Sequence, residues 1–359
     1  MTVQRLAVSA YRIPTELQPE SDGTAVWDST TLVLVEVEAG TTRGTGWTYG
    51  SAAIARFIDE RLRDIVEGCD AFANRAVWAA MNGRVRNDGR SGLASYAVAA
   101  VDVALWDLRA RLLDAPLCDV FGSAPTCVPV YGSGGFTSYD LPTLQRQLAG
   151  WAADGMFAVK MKVGRDAAAD PGRVAAARSA IGPGVDLFVD ANGAYSVEQA
   201  LAMAAVFEQS GVAWFEQPVE HNDLAGTRFV RDRAPAGMAI SSGEYITDTA
   251  AAPAVAVAVN VLQADATRCG GYTGFFAIDG YCDATRKPLS THCSPMLHVH
   301  VAAASLRVRH VEYFYDHARI EKMLFDGFIE PVNGELRPDR SRPGHGFTFK
   351  HADAKKFEV

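Results

Sequence analysis

Seven short apolar runs follow one another in the second half of this chain, and each ends on an ionisable side chain. They are Phe157-Ala-Val-Lys-Met-Lys162, Val185-Asp-Leu-Phe-Val-Asp190, Val212-Ala-Trp-Phe-Glu216, Met238 to Glu244, Val259 to Asp265, Pro288 to His292 and His310-Val-Glu312. From Lys162 onward the intervals are about 28, 26, 28, 21, 27 and 20 residues. One strand, one helix and two loops fill such an interval, which is the unit of a parallel α/β barrel. Groups at the C-terminal ends of barrel strands converge on one mouth, so these residues are expected to meet there.

The rest of the chain leaves room for a second domain. Its 359 residues exceed an ordinary barrel by roughly a hundred. Residues 3–12 and 31–38 read as antiparallel strands, a third strand lies near Thr45–Tyr49, and a helix starts at about 51. Pro14 to Ser29, rich in Glu, Pro, Asp and Gly, reads as a mobile loop and a lid. Helical spacing is clearest over 95–113, where Asp102 and Asp107 read as helix-surface or capping partners. Pro116 to Pro129 is the expected seam. The first barrel strand is expected at 128–132, and a turn-rich tail returns from 334 towards the first domain.

Several partner classes are disfavoured. A net charge of −8 without a Lys/Arg cluster argues against nucleic acid. No apolar stretch approaches the roughly 18 residues of a membrane span, and Met1-Thr-Val-Gln-Arg lacks a signal-like apolar core, so a cytosolic protein is expected. The six cysteines form no CxxC pair and read as reduced, mostly buried thiols; Cys293, beside His292, is assigned no chemistry. His298-x-His300 reads as packing, and Gly132-Ser-Gly134-Gly135 lacks a dinucleotide-binding spacing.

The mouth residues suggest chemistry. Lys160 and Lys162 share one face of a strand, so each is expected to lower the other's pKa and make Lys162 basic near neutrality. Asp190, Glu216 and Glu244 end three successive strands, and three hard carboxylates in one place suit Mg²⁺. Asp265 and His292, from the next two, form a dyad in which the carboxylate orients the imidazole for acid or base work.

Together, Lys160-x-Lys162, Asp190-Ala-Asn192, Glu216-Gln-Pro218, Gly243-Glu244, Asp265 with Arg268-x-Gly270-Gly271, and His292 resemble the enolase superfamily, in its mandelate racemase subgroup. The resemblance spans nearly the whole chain. It implies an α/β fold: an α+β capping domain (1–125, with a C-terminal return about 326–359) and a modified (β/α)7β barrel (126–325). It further implies Mg²⁺-dependent removal of the proton beside a substrate carboxylate, through an enediolate. Lys162 is then the base on one face, Lys160 aids the substrate carboxylate, and His292 with Asp265 acts on the other face. Glu312 is expected to hydrogen-bond that carboxylate.

The first reading is an acid-sugar dehydratase. A racemase or epimerase of a 2-hydroxy acid is the alternative, and a catalytically silent binding protein is the remote one. A muconate-type cycloisomerase is disfavoured, because that subgroup carries a lysine after the sixth strand whereas the seventh here offers His292. Substrate choice is assigned to the 14–29 loop and Trp47–Ser51, with Tyr139, Asp316 and His317. Trp27 and Trp47 with the acidic residues of the loop favour a sugar monoacid. A symmetric homo-oligomer is expected.

Overall fold

The computed structural model describes residues 1–122 and 127–359; the domain boundary expected at 125/126 lies outside the described residues. Strand β1 (Arg5–Pro14) is followed by the two-residue strands β2 (Glu20–Ser21) and β3 (Val26–Trp27), then by β4 (Ser29–Ala39) and β5 (Thr42–Tyr49). β1, β4 and β5 form one antiparallel sheet, with β4 central.

The segment read as a mobile loop contains the β2–β3 hairpin. Asp22 makes the turn, its Oδ1 accepting from the backbone N–H of Thr24 (2.6 Å) and Ala25 (2.7 Å). The tip docks on the barrel so closely that a β-carbon on Gly23 would lie 2.3 Å from the Ala191 carbonyl oxygen. Composition reported the turn residues of this segment but not the surface that holds them.

The helix Leu93–Leu112 covers the sheet, and Gly44 and Gly46 of β5 let its backbone approach. Asp102 and Asp107 are fully buried on this helix, not on its surface. Asp102 accepts from Thr273 N (2.9 Å) and Thr273 Oγ1 (2.7 Å) at the start of the helix Gly271–Thr285. Asp107 accepts from Thr45 N and His345 N, both at 2.8 Å. The helix is covered on both sides, so its periodicity marks no solvent face, and its two carboxylates tie the cap to the barrel and the tail.

Eight parallel strands form the barrel: β6 (Val128–Gly134), β7 (Ala158–Lys162), β8 (Asp186–Asp190), β9 (Val212–Glu216), β10 (Ala239–Ser242), β11 (Val261–Ala264), β12 (Leu289–Thr291) and β13 (Val311–Phe314). Their spatial order is β12-β11-β10-β9-β8-β7-β6-β13, and a Leu289–Val308 bridge nearly closes the ring. Seven helices return the chain between the strands, as a (β/α)7β barrel requires. Several start where capping chemistry predicts, such as Asp140 before Leu141–Ala153 and the Ser196/Gln199 capping box before Val197–Glu208. The tail returns to the cap, with His345 Nε2 donating to the Thr45 carbonyl and Val359 N to that of Ala10.

Inward-facing residues form two layers. Tyr131, Phe188, Trp214 and His310 close the N-terminal end as an aromatic floor, with Phe188 stacked on Trp214 at 5.2 Å. Two residues further along the same strands stand Ser133, Asp190, Glu216 and Glu312. Among the described residues no helix is long and apolar enough to cross a membrane. Cys69, Cys118, Cys269, Cys282 and Cys293 are free thiols, the last four buried.

Candidate active site

All eight residues singled out for the site are buried; six stand at or just beyond the C-terminal ends of barrel strands, while Lys160 and Glu312 lie within β7 and β13. Lys160 Nζ lies 2.8 Å from both oxygens of Glu216, 2.7 Å from Glu312 Oε1 and 3.6 Å from Asp190 Oδ2. Lys162 Nζ donates to Asp190 Oδ2 at 2.5 Å. His292 Nδ1 donates to Asp265 Oδ2 (2.8 Å) and its Nε2 to Glu244 Oε2 (2.5 Å). Thr267 N and Oγ1 fix the other oxygen of Asp265, both at 2.7 Å. Arg268 lies 3.6 Å from both Glu244 and Asp265.

The three carboxylates read as metal ligands are therefore each engaged by a cation of the chain. Burial opposes charge on both lysines, but the carboxylates outweigh it: Glu216 and Glu312 raise Lys160 well above the ordinary lysine value, and Asp190 raises Lys162. Lys160 does lower the pKa of Lys162, as expected, but Asp190 outweighs it, so the expectation of a Lys162 basic near neutrality is corrected for this arrangement. Burial likewise disfavours charge on His292, yet the neighbouring Glu244 carboxylate raises it well above its usual value, consistent with a carboxylate on each ring nitrogen. Asp265 is lowered to about 2, burial being overcome by His292. Glu216 moves the other way, to about 7, through burial and the nearby Asp190.

Counting charges tests whether a divalent ion suits the site. Asp190, Glu216, Glu244, Asp265 and Glu312 face Lys160, Lys162, Arg268 and the protonated His292, five carboxylates to four cations, which leaves an excess of one negative charge. Asn192 Oδ1, a further hard donor, is buried without a hydrogen-bond partner, while its Nδ2 lies 3.5 Å from Glu244 Oε1. Oxygen donors with surplus negative charge fit Mg²⁺. Among the described residues, the group whose ligand atoms all lie within 4.8 Å of one another is a different one, His292, Cys293 and Glu312. Burial pushes the Cys293 thiol up to about 12, so it keeps its proton and is a poor ligand.

Two family models match this chain: "Mandelate racemase / muconate lactonizing enzyme, N-terminal domain" over residues 6–122, and "Enolase C-terminal domain-like" over 143–354. The chain belongs to the mandelate racemase/muconate lactonizing enzyme group of the enolase superfamily. It is 34% identical to a 3,6-anhydro-alpha-L-galactonate cycloisomerase of Streptomyces coelicolor, covering 96% of each chain. It is 28% identical to an L-talarate/galactarate dehydratase of Salmonella typhimurium, covering 85% of this chain and 77% of that one. A mandelate racemase/muconate lactonizing enzyme-like protein from Rubrobacter xylanophilus superposes with TM-score 0.98 at 50% identity over 100% of both chains. A Streptomyces coelicolor racemase with bound magnesium superposes with TM-score 0.93 at 30% identity, over 99% of this chain and 100% of that one.

In this enolase-superfamily chain a cavity of about 370 Å³ opens over the mouth, lined by Lys162, Asn192, Glu244, Arg268 and His292 on the barrel side. Lys160, Asp190, Glu216 and Glu312 form the layer beneath. Glu312 was expected to meet the substrate carboxylate, but its oxygens are taken by Ser133 Oγ (2.6 Å), Cys293 N (2.7 Å) and Lys160. Its pKa is held low because Lys160 and His292 overcome burial, so it is an acceptor here. Trp47 was assigned to substrate choice; it is fully buried, donates to Glu321 Oε1 (3.1 Å) and packs on Phe325. Tyr49, two residues on, lines the cavity instead.

Sequence reasoning gave no role to Ser133, placed Asn192 only within a motif, and included Tyr49 only as part of the Trp47–Ser51 segment. The period-2 pattern of β6, which turns Tyr131 and Ser133 inward together, was the available signal for Ser133. His298 is packing, as read: it is fully buried, and its Nε2 accepts from Ala266 N at 2.8 Å.

Proposed function

We propose that this chain is a Mg²⁺-dependent acid-sugar dehydratase, which removes the proton beside a substrate carboxylate and expels the hydroxyl on the next carbon. One observation carries the reading: Lys162 on β7 and the His292–Asp265 dyad after β12 and β11 stand on well-separated strands around one ring of buried carboxylates. Asp190, Glu216 and Glu244 are assigned as Mg²⁺ ligands. A Mg²⁺ ion held by these three would supply the positive charge that offsets the substrate carboxylate and the negative charge that grows on it as the proton leaves.

The chain's own groups then have defined tasks. Were Asp190 to ligate Mg²⁺, Lys162 would lose the partner whose charge raises its pKa. Lys160 beside it lowers that pKa further, so Lys162 Nζ takes the α-proton. Lys160, anchored by Glu216 and Glu312, attracts the substrate carboxylate. His292, whose Nδ1–H is held by Asp265, delivers the Nε2 proton to the departing hydroxide. The α C–H and β C–O bonds break, a C=C bond forms, and water and an enol leave; the enol becomes a 2-keto-3-deoxy acid.

The 34%-identical cycloisomerase supports a second reading. In that reading the same elimination would act on a ring C–O bond of this chain's substrate, and the leaving oxygen would stay in the molecule. Racemisation would use Lys162 and His292 without any departure. Incubating a panel of sugar acids and anhydro-sugar acids with Mg²⁺ separates these outcomes. Loss of water with a keto product marks the dehydratase, a keto product of unchanged mass the cycloisomerase, and rotation change alone the racemase. We further assign the enzyme to the cytosol, in keeping with its free thiols, and to a symmetric homo-oligomer, which sedimentation would test.

A further inference from the structure

We propose that His317 selects the distal end of the substrate, and that this end is uncharged and hydroxylated, so the enzyme takes sugar monoacids in preference to diacids. The inference rests on the dehydratase reading and adds a substrate class to it.

His317 is held by three elements. Its ring stacks on Tyr49 of the cap, with centroids 3.5 Å apart and planes at 14°. The edge of Phe314 meets it at 5.1 Å. Its Nδ1 accepts from Ser294 N at 3.3 Å, so the ring's proton resides on Nε2. Among the described residues no group bonds to that Nε2, and the side chain lines the cavity. Burial pushes the imidazole down to about 3, which keeps it a neutral donor at working pH. Cys293 and Ser294, which link His292 to this contact, have φ values of 52° and 40°. Left-handed backbone at two successive non-glycine residues is costly and persists where the surroundings enforce it. The elbow thus joins the residue for chemistry to the residue for recognition.

The charges around the cavity exclude a second carboxylate. Each cation that lines it is already committed at the reacting end: Lys162 to Asp190 at 2.5 Å, Arg268 to Glu244 and Asp265 at 3.6 Å, and His292 to Asp265 at 2.8 Å. The far wall offers Trp27, Thr30, Tyr49, Phe314 and His317, with the carboxylate of Asp22 at the rim. Arg319 is spent on Asp316 (2.5 Å) and the Pro14 carbonyl (2.9 Å). Aromatic walls with neutral donors suit C–H and O–H groups, whereas an unpaired anion there would be desolvated next to Asp22.

The test uses the Mg²⁺-loaded full chain and five- and six-carbon aldonates, the aldarates of matching stereochemistry, and the terminal-deoxy analogue of the preferred aldonate. The wild type is expected to favour the aldonate over the aldarate by at least about a hundredfold in kcat/KM. It should favour the hydroxylated over the deoxy acid by about ten- to a hundredfold, the usual cost of an unmet buried donor. His317→Phe keeps a ring against Tyr49 but has no donor, and should abolish the hydroxyl preference. His317→Gln, with an amide near the Nε2 position, should restore part of it. Equal or better turnover of the aldarate, or equal losses on both aldonates in His317→Phe, overturns the proposal while leaving the dehydratase reading intact. Failure of the wild type to act on any of these acids overturns both.

Discussion

The barrel's two inner layers come from the same strands and the same face, two residues apart, and they behave oppositely. At the floor, Tyr131, Phe188, Trp214 and His310 pack ring against ring, and burial lowers His310 to about 3, so that layer carries no charge. One layer up, Ser133, Asp190, Glu216 and Glu312 are as deeply buried and hold a network of ions. Dispersion and apolar burial need no partner of specific charge, so the floor stabilises the fold by itself. A buried ion network stabilises little overall, because desolvation offsets its attraction, and a surplus of one sign makes it a receptor for the missing charge. The layers meet where Trp214 Nε1 donates to Glu216 Oε2 at 3.1 Å and where Lys160 Nζ lies 5.5 Å from the centroid of the Tyr131 ring.

Substitutions should separate the layers. The largest effect falls on activity from the mouth: Lys162→Ala and His292→Asn should each lower kcat about 10²–10⁴-fold, read by product formation on the folded, Mg²⁺-loaded protein. Wild-type rates in both variants would remove these groups from the mechanism. Next comes the floor, where Trp214→Ala should destabilise the fold by about 3–5 kcal/mol in denaturant titration, through a cavity under Phe188 and His310. A loss of Mg²⁺ affinity without loss of stability would show that the floor is not the structural layer.

Glu216→Gln should weaken Mg²⁺ binding by calorimetry, and its effect on stability should depend on pH. Glu216 is raised from 4.5 to about 7 in the fold, so its contribution is complete below the unfolded value and is lost as pH rises through about 7. Metal-free wild type should therefore lose stability relative to Glu216→Gln between about pH 4.5 and 7, while Mg²⁺ affinity of the wild type rises over the upper part of that range. The smallest effect is expected from Ser133→Ala, which removes one bond to Glu312 at a cost of about 1–2 kcal/mol.

Much of this contrast was legible before any coordinates. Regular spacing of runs ending in Asp, Glu, Lys or His locates a barrel mouth, because strand-plus-helix length is nearly constant, and period 2 puts Lys160 and Lys162 on one face. Asp265 and His292 are on adjacent strands and do touch. Depth and partnership were less accessible. Period 2 assigns a face but not the neighbour that occupies it, so Asp190 outweighing Lys160 in setting the pKa of Lys162 required distances. Trp47 and Tyr49 share a face of β5 on paper, yet only Tyr49 lines the cavity, because Phe325 and Glu321 from beyond the barrel cover Trp47. The buried carboxylates Asp102 and Asp107 escaped for a similar reason: their partners, Thr273, Thr45 and His345, are far away in sequence.

The most direct test of the central claim is exchange of the α-proton of a bound sugar acid with solvent in D₂O, followed by proton NMR with Mg²⁺ and with chelator. The account predicts Mg²⁺-dependent exchange or elimination in the wild type and its loss in Lys162→Ala or His292→Asn, according to the face that carries the proton. A sugar acid that binds with Mg²⁺ present but keeps its α-proton indefinitely would contradict it.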